Sequence, residues 1–351
     1  MYNRFNKRIN YFNYLNRSAF QSDSSPYFFG HGRTALKVGL LTYNTTIGKK
    51  VLVPNYIGDS CIDPFNELGM DIIYYTVNSD LSPDWDTINR SISKDVIAIM
   101  MVHYFGIPQA IEQFQSFAKE HNLLLIEDNS HGHGGIVSGK LLGTFGDIGF
   151  TSPRKSFPIL NGGVLFLKTK NISSTINFPI EQVNIPKLII RDITGRILDN
   201  CTPIKELFLP KRFKGVEWDP HGEDWSIDKT SFDTLMKYNL QEVRELRTSI
   251  YNVWWKWSKS NNLVPIFSLN DDSFAPLSLP LIFDSTVERD KWLRIFSKNH
   301  IAVYRWPYLP KEIEDTGNSG KDLFDKTLYL PIHLSMKAQA LEEFLLHKFL
   351  F

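Results

Sequence analysis

Apolar and polar positions follow two different periods along the chain, and the two take turns. From 33 to 43 (RTALKVGLLTY), Ala35, Leu36, Val38, Leu40 and Leu41 recur at helical spacing, and Gly32 stands just before them. KKVLVPN (49–55) is a short apolar run closed by proline. DIIYYTV (71–77) is rich in β-branched and aromatic residues, and both segments predict strands. DVIAIMMVHYF (95–105) is almost continuously apolar, as a strand buried on both faces should be. The helical period returns over 111–121. LLLIEDNS (123–130) then predicts a strand that runs into acidic and polar residues, and further strands follow near 148–150 and 163–168. Strands alternating with helices predict a mainly parallel α/β sheet covered by helices. Ligands of such sheets bind at the carboxyl ends of the strands, which is where Asp128 falls.

The pattern weakens over 170–230, which is rich in Pro, Asp and Lys and reads as loops and short elements. It resumes near 232 with a long helix through LMKYNLQEVRELRTSIYNVWWKW. A strand at 277–283, a helix near 286–299, strands at 301–306 and 328–333 and a terminal helix follow. These predict a large domain over 1–231, with an N-terminal arm over 1–20, a loop at 22–26 and the loop-rich stretch 170–231. A small α/β domain is predicted over 232–351. No internal repeat is evident.

Composition narrows the function classes. The 351 residues are 42% hydrophobic, with 25 Phe, 14 Tyr and 8 Trp, enough to bury a sizeable core. A formal net charge of +1 gives no field favouring nucleic acid or an anionic membrane, so an anionic ligand must be held by locally placed groups. Cys61 and Cys201 are too few for a disulfide framework or a structural zinc site and read as free thiols in a reducing compartment. The first residues, MYNRFNKRINYFNYLNR, lack the apolar core of a signal peptide, and no stretch reaches the ~18 apolar residues of a membrane span. The expectation is a soluble, cytoplasmic protein.

Four segments carry candidate chemistry. GHGRTAL (30–36) is a glycine-rich entry to a helix, where free amides and the helix dipole favour an anion; a simple turn explains the same glycines. IEDNSHGHGG (126–135) sets a carboxylate at a strand end beside His131 and His133. A His-x-His pair can clamp zinc, but no further ligand stands at motif spacing, so no metal is expected. GDIGFTSPRKSFPILNGG (146–163) places Ser152, Lys155 and a glycine pair after a strand; alone, Lys155 could be a solvated surface lysine. LYLPIHLSMKAQALEEF (328–344) carries little chemistry.

Taken together, these segments resemble the DegT/DnrJ/EryC1/StrS family of sugar aminotransferases, fold-type I enzymes that use pyridoxal 5′-phosphate (PLP). The family's Glu-Asp-x-x-Gln-Ala-His-Gly run resembles Glu127 to Gly134. Its Gly-Asp-Ile-Gly, Ser, Lys and Gly-Gly series resembles Gly146 to Gly149, Ser152, Lys155 and Gly162-Gly163. Its Ser-Gly-Thr-Ala-Ala-Leu turn resembles His31 to Leu36. VHYFGIP (102–108) and Leu330-Pro331-Ile332-His333 add to the match.

The resemblance implies an α/β fold of the PLP-dependent transferase type I, with a mainly parallel seven-stranded sheet. It implies a Schiff base between the cofactor and Lys155, which later moves protons, and Asp128 paired with the pyridine N–H⁺. His131 borders the ring face, while Ser152 and the amides of Gly32, Arg33 and Thr34 hold the phosphate. The chain departs from the family at several places. Arg33 replaces the usual Thr, and Ser-Pro-Arg-Lys shortens the gap from Ser152 to Lys155. The usual ring-stacking aromatic falls on Gly58, leaving Tyr56 as its substitute. The family's Asn-Tyr-Arg stretch is not clear near 222–231. The implied activity is transfer of an amino group, most often from glutamate, to a nucleotide-linked keto sugar for a surface polysaccharide such as O-antigen or for a secondary metabolite. A homodimer is implied, and no nucleic-acid or membrane partner. A PLP-dependent lyase or dehydratase and a non-catalytic binding or regulatory relative are the alternatives. Trp306 fits a substrate-facing residue as well as a core residue.

Overall fold

A computed structural model describes residues 26–44, 48–168, 226–268, 274–306 and 308–350. The predicted N-terminal arm, nearly all of the 22–26 loop, Cys201 and most of the 170–231 stretch lie outside the described residues.

The first half alternates as its periodicity predicts. β1 (Tyr27–Phe29), α1 (Gly32–Thr42), β2 (Lys50–Pro54), α2 (Asp59–Glu67), β3 (Asp71–Tyr75), α3 (Trp85–Arg90), β4 (Val96–Val102), α4 (Ile111–Glu120) and β5 (Leu124–Asp128) follow in order. A small hairpin of β6 (Ile136–Val137) and β7 (Lys140–Leu141) precedes β8 (Ile148–Thr151) and β9 (Gly163–Leu167). The main sheet has seven strands in the order β1-β9-β8-β5-β4-β2-β3. β3, β2, β4, β5 and β8 pair in parallel, and β9 and β1 add antiparallel pairings at one edge. β4 and β5 are central and almost wholly buried, which is why they read as unbroken apolar runs.

The second half holds α5 (Lys229–Leu235), α6 (Leu240–Ser260), β10 (Val264–Pro265), β11 (Ser278–Ile282), α7 (Thr286–Lys298), α8 (Lys311–Glu314), α9 (Ser319–Lys326), β12 (Thr327–Pro331) and α10 (Ala338–His347). β10, β11 and β12 form a separate antiparallel sheet. Its core, with Trp254, Phe296, Leu281 and Leu330, is distinct from that of the main sheet.

Three sequence expectations are corrected. The long helix predicted from 232 is two helices, because the Asn239 side chain accepts the Gln241 N–H and starts α6 afresh. The strand predicted at 301–306 reduces to one bridge, Tyr304 with Tyr329. The strand predicted over 95–105 stops at Val102, since Phe105 (φ 56°) and Gly106 (φ 82°) turn into the left-handed region. The short elements β1, α2 and α3 were not legible, because each is too brief to show a period. Among the described residues, no helix is long and apolar enough to cross a membrane.

Candidate active site

β5 delivers two carboxylates of opposite purpose to one strand end. The Glu127 side chain is fully buried and turned inward. It accepts the N–H groups of Gly143 (2.6 Å), Phe145 (2.6 Å) and Gly146 (2.8 Å), and Nε2 of His103 lies at 2.9 Å. Nδ1 of His103 accepts the Gln109 N–H, so its proton sits on Nε2 and points at Glu127. This carboxylate pins the loop between β7 and β8. Asp128 faces the other way. Its Oδ1 accepts the Ser130 N–H (2.7 Å), and among the described residues its Oδ2 takes only the Cys61 thiol, at 3.5 Å. Burial first, then the Asp128 charge, pushes the Cys61 pKa well up, so the thiol stays protonated as a weak donor. Asp128 thus keeps accepting capacity for a stronger, cationic donor.

Lys155 ends a 3₁₀ turn, Pro153–Lys155, that follows β8, the strand beside β5. Loss of water around the amine lowers its pKa. The Asp128 charge opposes this and Arg154 adds to it. The side chain keeps accessible surface, so it is a reachable amine in a poorly hydrating setting. The turn is held from the second half of the chain: Arg247 of α6 donates to the Ser156 carbonyl and to the Pro276 carbonyl, both at 2.8 Å. Arg244, one turn earlier, donates to the Gly134 carbonyl (2.8 Å).

The Gly32 turn meets the same place. α1 begins at Gly32 with no acidic residue in its first turn, and the opening amides of a helix have no acceptor within it. A Cβ at Gly32 would stand 3.5 Å from Cβ of Ser152 and 3.6 Å from Oγ of Ser130. A helix start and two serines therefore surround a space that glycine leaves open. Gly163 allows the approach, because a Cβ there would lie 2.1 Å from the His31 carbonyl. Thr34 is fully buried. The Arg33 guanidinium lies 3.9 Å from Asp63 of α2.

The two histidines diverge. His131 accepts the Phe105 N–H at Nδ1 (3.2 Å), which places its proton on Nε2. Burial and the neighbouring Lys155 hold its pKa well below the usual range. Nδ1 of His133 instead pairs with Oγ1 of Thr151 at 2.8 Å, and burial, with Arg247 nearby, lowers its pKa to about 3. Among the described residues, no cluster of three His, Cys, Asp or Glu could hold a metal. Tyr56 is fully buried. Its hydroxyl is bonded to that of Tyr329, so it offers the cleft no surface.

Asp128, His131, Ser152, Lys155 and the Gly32 turn thus converge. Ser130, Cys61 and Arg247 join them without having been singled out as site residues, and so does Trp306, which fitted a substrate-facing or a core residue equally. Ser130 could have been found from its place two residues past Asp128; the others come from distant segments.

Residues 28–179 match the family model described as the DegT/DnrJ/EryC1/StrS aminotransferase family. Over these residues the chain is similar to this family. The GDP-perosamine synthase of Escherichia coli O157:H7 is 25% identical over 238 residues, which is 64% of this chain and 62% of that protein. The chain therefore matches less than two thirds of that relative's length. Among solved structures, a DegT DnrJ EryC1 StrS aminotransferase from Brucella abortus superposes with a TM-score of 0.69 at 16% identity, covering 98% of this chain and 90% of that one. NtdA from Bacillus subtilis with the bound cofactor PMP gives 0.67 at 16% identity, covering 97% and 77%. These likenesses show that the chain shares the α/β fold of those structures.

Proposed function

We propose that the protein is a PLP-dependent aminotransferase that carries an amino group from an amino acid, glutamate in this reading, to a nucleotide-linked keto sugar. The product would serve a surface polysaccharide or a secondary metabolite. One observation carries the reading: an amine of lowered pKa, a carboxylate with spare accepting capacity and an anion cradle share one strand-end cleft.

The residues present fit the cofactor. The space over Gly32, bordered by Ser130, Ser152 and the start of α1, suits a phosphate. Asp128, which Cys61 holds only weakly, suits a pyridinium N–H⁺. When bound, PLP supplies an electron sink for negative charge at the substrate carbon. Lys155 would hold the cofactor and, as a neutral amine, would take a proton from the substrate carbon and return it. Its depressed pKa keeps more of the amine neutral for both tasks. Asp128 would face the ring nitrogen and favour its protonated form. Neutral His131 borders the site and donates through Nε2, adding no positive charge. The two sheets support two domains, divided near 231 and 232, and the family pattern supports a homodimer.

The protein loaded with PLP should be yellow and should bleach when glutamate is added. Lys155→Ala should lose the yellow form and reduce turnover by roughly 10²–10⁴-fold. Unchanged colour and turnover in that variant would refute the assignment. Wild type that stays yellow with every amino donor would point to a PLP-dependent lyase.

A further inference from the structure

The cleft wall has a gap at Gly58, which caps α2 three residues before Cys61, the partner of Asp128. Its φ of −75° suits any residue, so the backbone does not call for glycine. Within 4 Å, a Cβ built there would meet, among the described residues, Nε1 of Trp306 at 3.9 Å and Oγ of Ser60 at 4.0 Å. Trp306 comes from the far end of the chain, two residues after the Tyr304 bridge to β12. Its ring is braced by Tyr56, with centroids 4.5 Å apart, and meets His131 edge-on at 5.5 Å. His131 in turn feels the charge of Lys155. The indole is 8% exposed, and its buried Nε1–H has no acceptor among the described residues. Buried indole N–H groups ordinarily find a partner, so this donor is suited to one that arrives with a ligand.

We propose that Trp306 is a cofactor-contacting residue that supplies from the C-terminal half the ring wall missing at Gly58, with its Nε1–H donating into the cleft. The proposal rests on the PLP reading above. It explains how a chain with glycine at this position can still close the cleft: the aromatic surface comes from another segment.

Pyridoxamine phosphate is a suitable probe, because it forms no Schiff base with Lys155 and reports only non-covalent contacts. Its dissociation constant is to be measured by calorimetry for wild type, Trp306→Ala and the double variant Gly58→Phe with Trp306→Ala. Trp306→Ala should bind about tenfold more weakly or worse. The double variant should recover most of the loss, since the new ring enters the space that the indole vacated. Wild-type affinity in Trp306→Ala overturns the proposal, and so does a double variant no tighter than Trp306→Ala, because a purely structural tryptophan is not replaced from Gly58. Should Trp306→Ala fail to fold, Trp306→Phe tests the N–H alone: binding a few-fold weaker is expected, and wild-type affinity overturns the proposal. Wild type that does not bind the probe overturns the PLP reading itself and this proposal with it, whereas binding by wild type with unchanged variants overturns this proposal alone.

Discussion

Protein packed around the Lys155 amine disfavours its protonated form although the residue is exposed, and the Asp128 carboxylate restores part of the loss. The sign is definite. A lowered pKa means that the neutral amine appears at a lower pH than for an ordinary lysine, near ~10.4. In Asp128→Asn the restoring charge is gone, so the midpoint should fall further. Labelling of Lys155 by an amine-directed reagent, followed peptide by peptide in a mass spectrometer across pH, reads that midpoint. An upward shift in the variant would refute the coupling. Stability follows the same direction. The unfolded chain binds this proton more tightly, so the lysine's contribution rises with pH between its lowered pKa and the ordinary one. Cys61 belongs to this scale too: its raised pKa keeps it a donor to Asp128 rather than a competing negative charge.

At the scale of elements, β5 turns neighbouring residues to opposite faces, so Glu127 and Asp128 do different work. Glu127 is a structural anchor, with three backbone donors and His103 on one carboxylate. Glu127→Ala would strand those four donors in the interior and should cost about 3 kcal/mol or more in urea unfolding. Glu127→Gln keeps the shape but turns an NH₂ toward some of the donors, and should fall between. A loss below about 1 kcal/mol in the alanine variant would show that water or rearrangement replaces the anchor. The loop it pins leads into β8, which carries Ser152 and Lys155 at its end, so the anchor also sets where the reactive amine starts from.

At the scale of the whole molecule, α6 joins the halves. Arg247 spans from the Ser156 carbonyl, beside Lys155, to the Pro276 carbonyl just before β11. Its guanidinium is buried, and that burial lowers its pKa to about 10. It remains a cation and holds two carbonyls at once, which the single ammonium of a lysine does poorly. Arg247→Met should lose roughly 3 kcal/mol of stability and should shed PLP during gel filtration, whereas Arg247→Lys should keep part of both. Full cofactor retention in the methionine variant would show that the Lys155 turn holds its position unaided.

The sequence alone determined the alternation of elements, the strand-end place of Asp128 and the ordered motifs around Ser152, Lys155 and Gly162-Gly163, because these depend on local period and spacing. It gave no access to Trp306 over Gly58, to Cys61 against Asp128 or to Arg247 on the Lys155 turn. Those pairs are far apart along the chain and meet only after the sheet has ordered its strands. Nor could spacing decide that Glu127 turns inward while Asp128 faces the cleft, since that follows from the packing of β5 between β4 and β8. Tertiary packing also removed Tyr56 from the cleft surface, because its hydroxyl finds Tyr329 and its ring is buried behind Trp306.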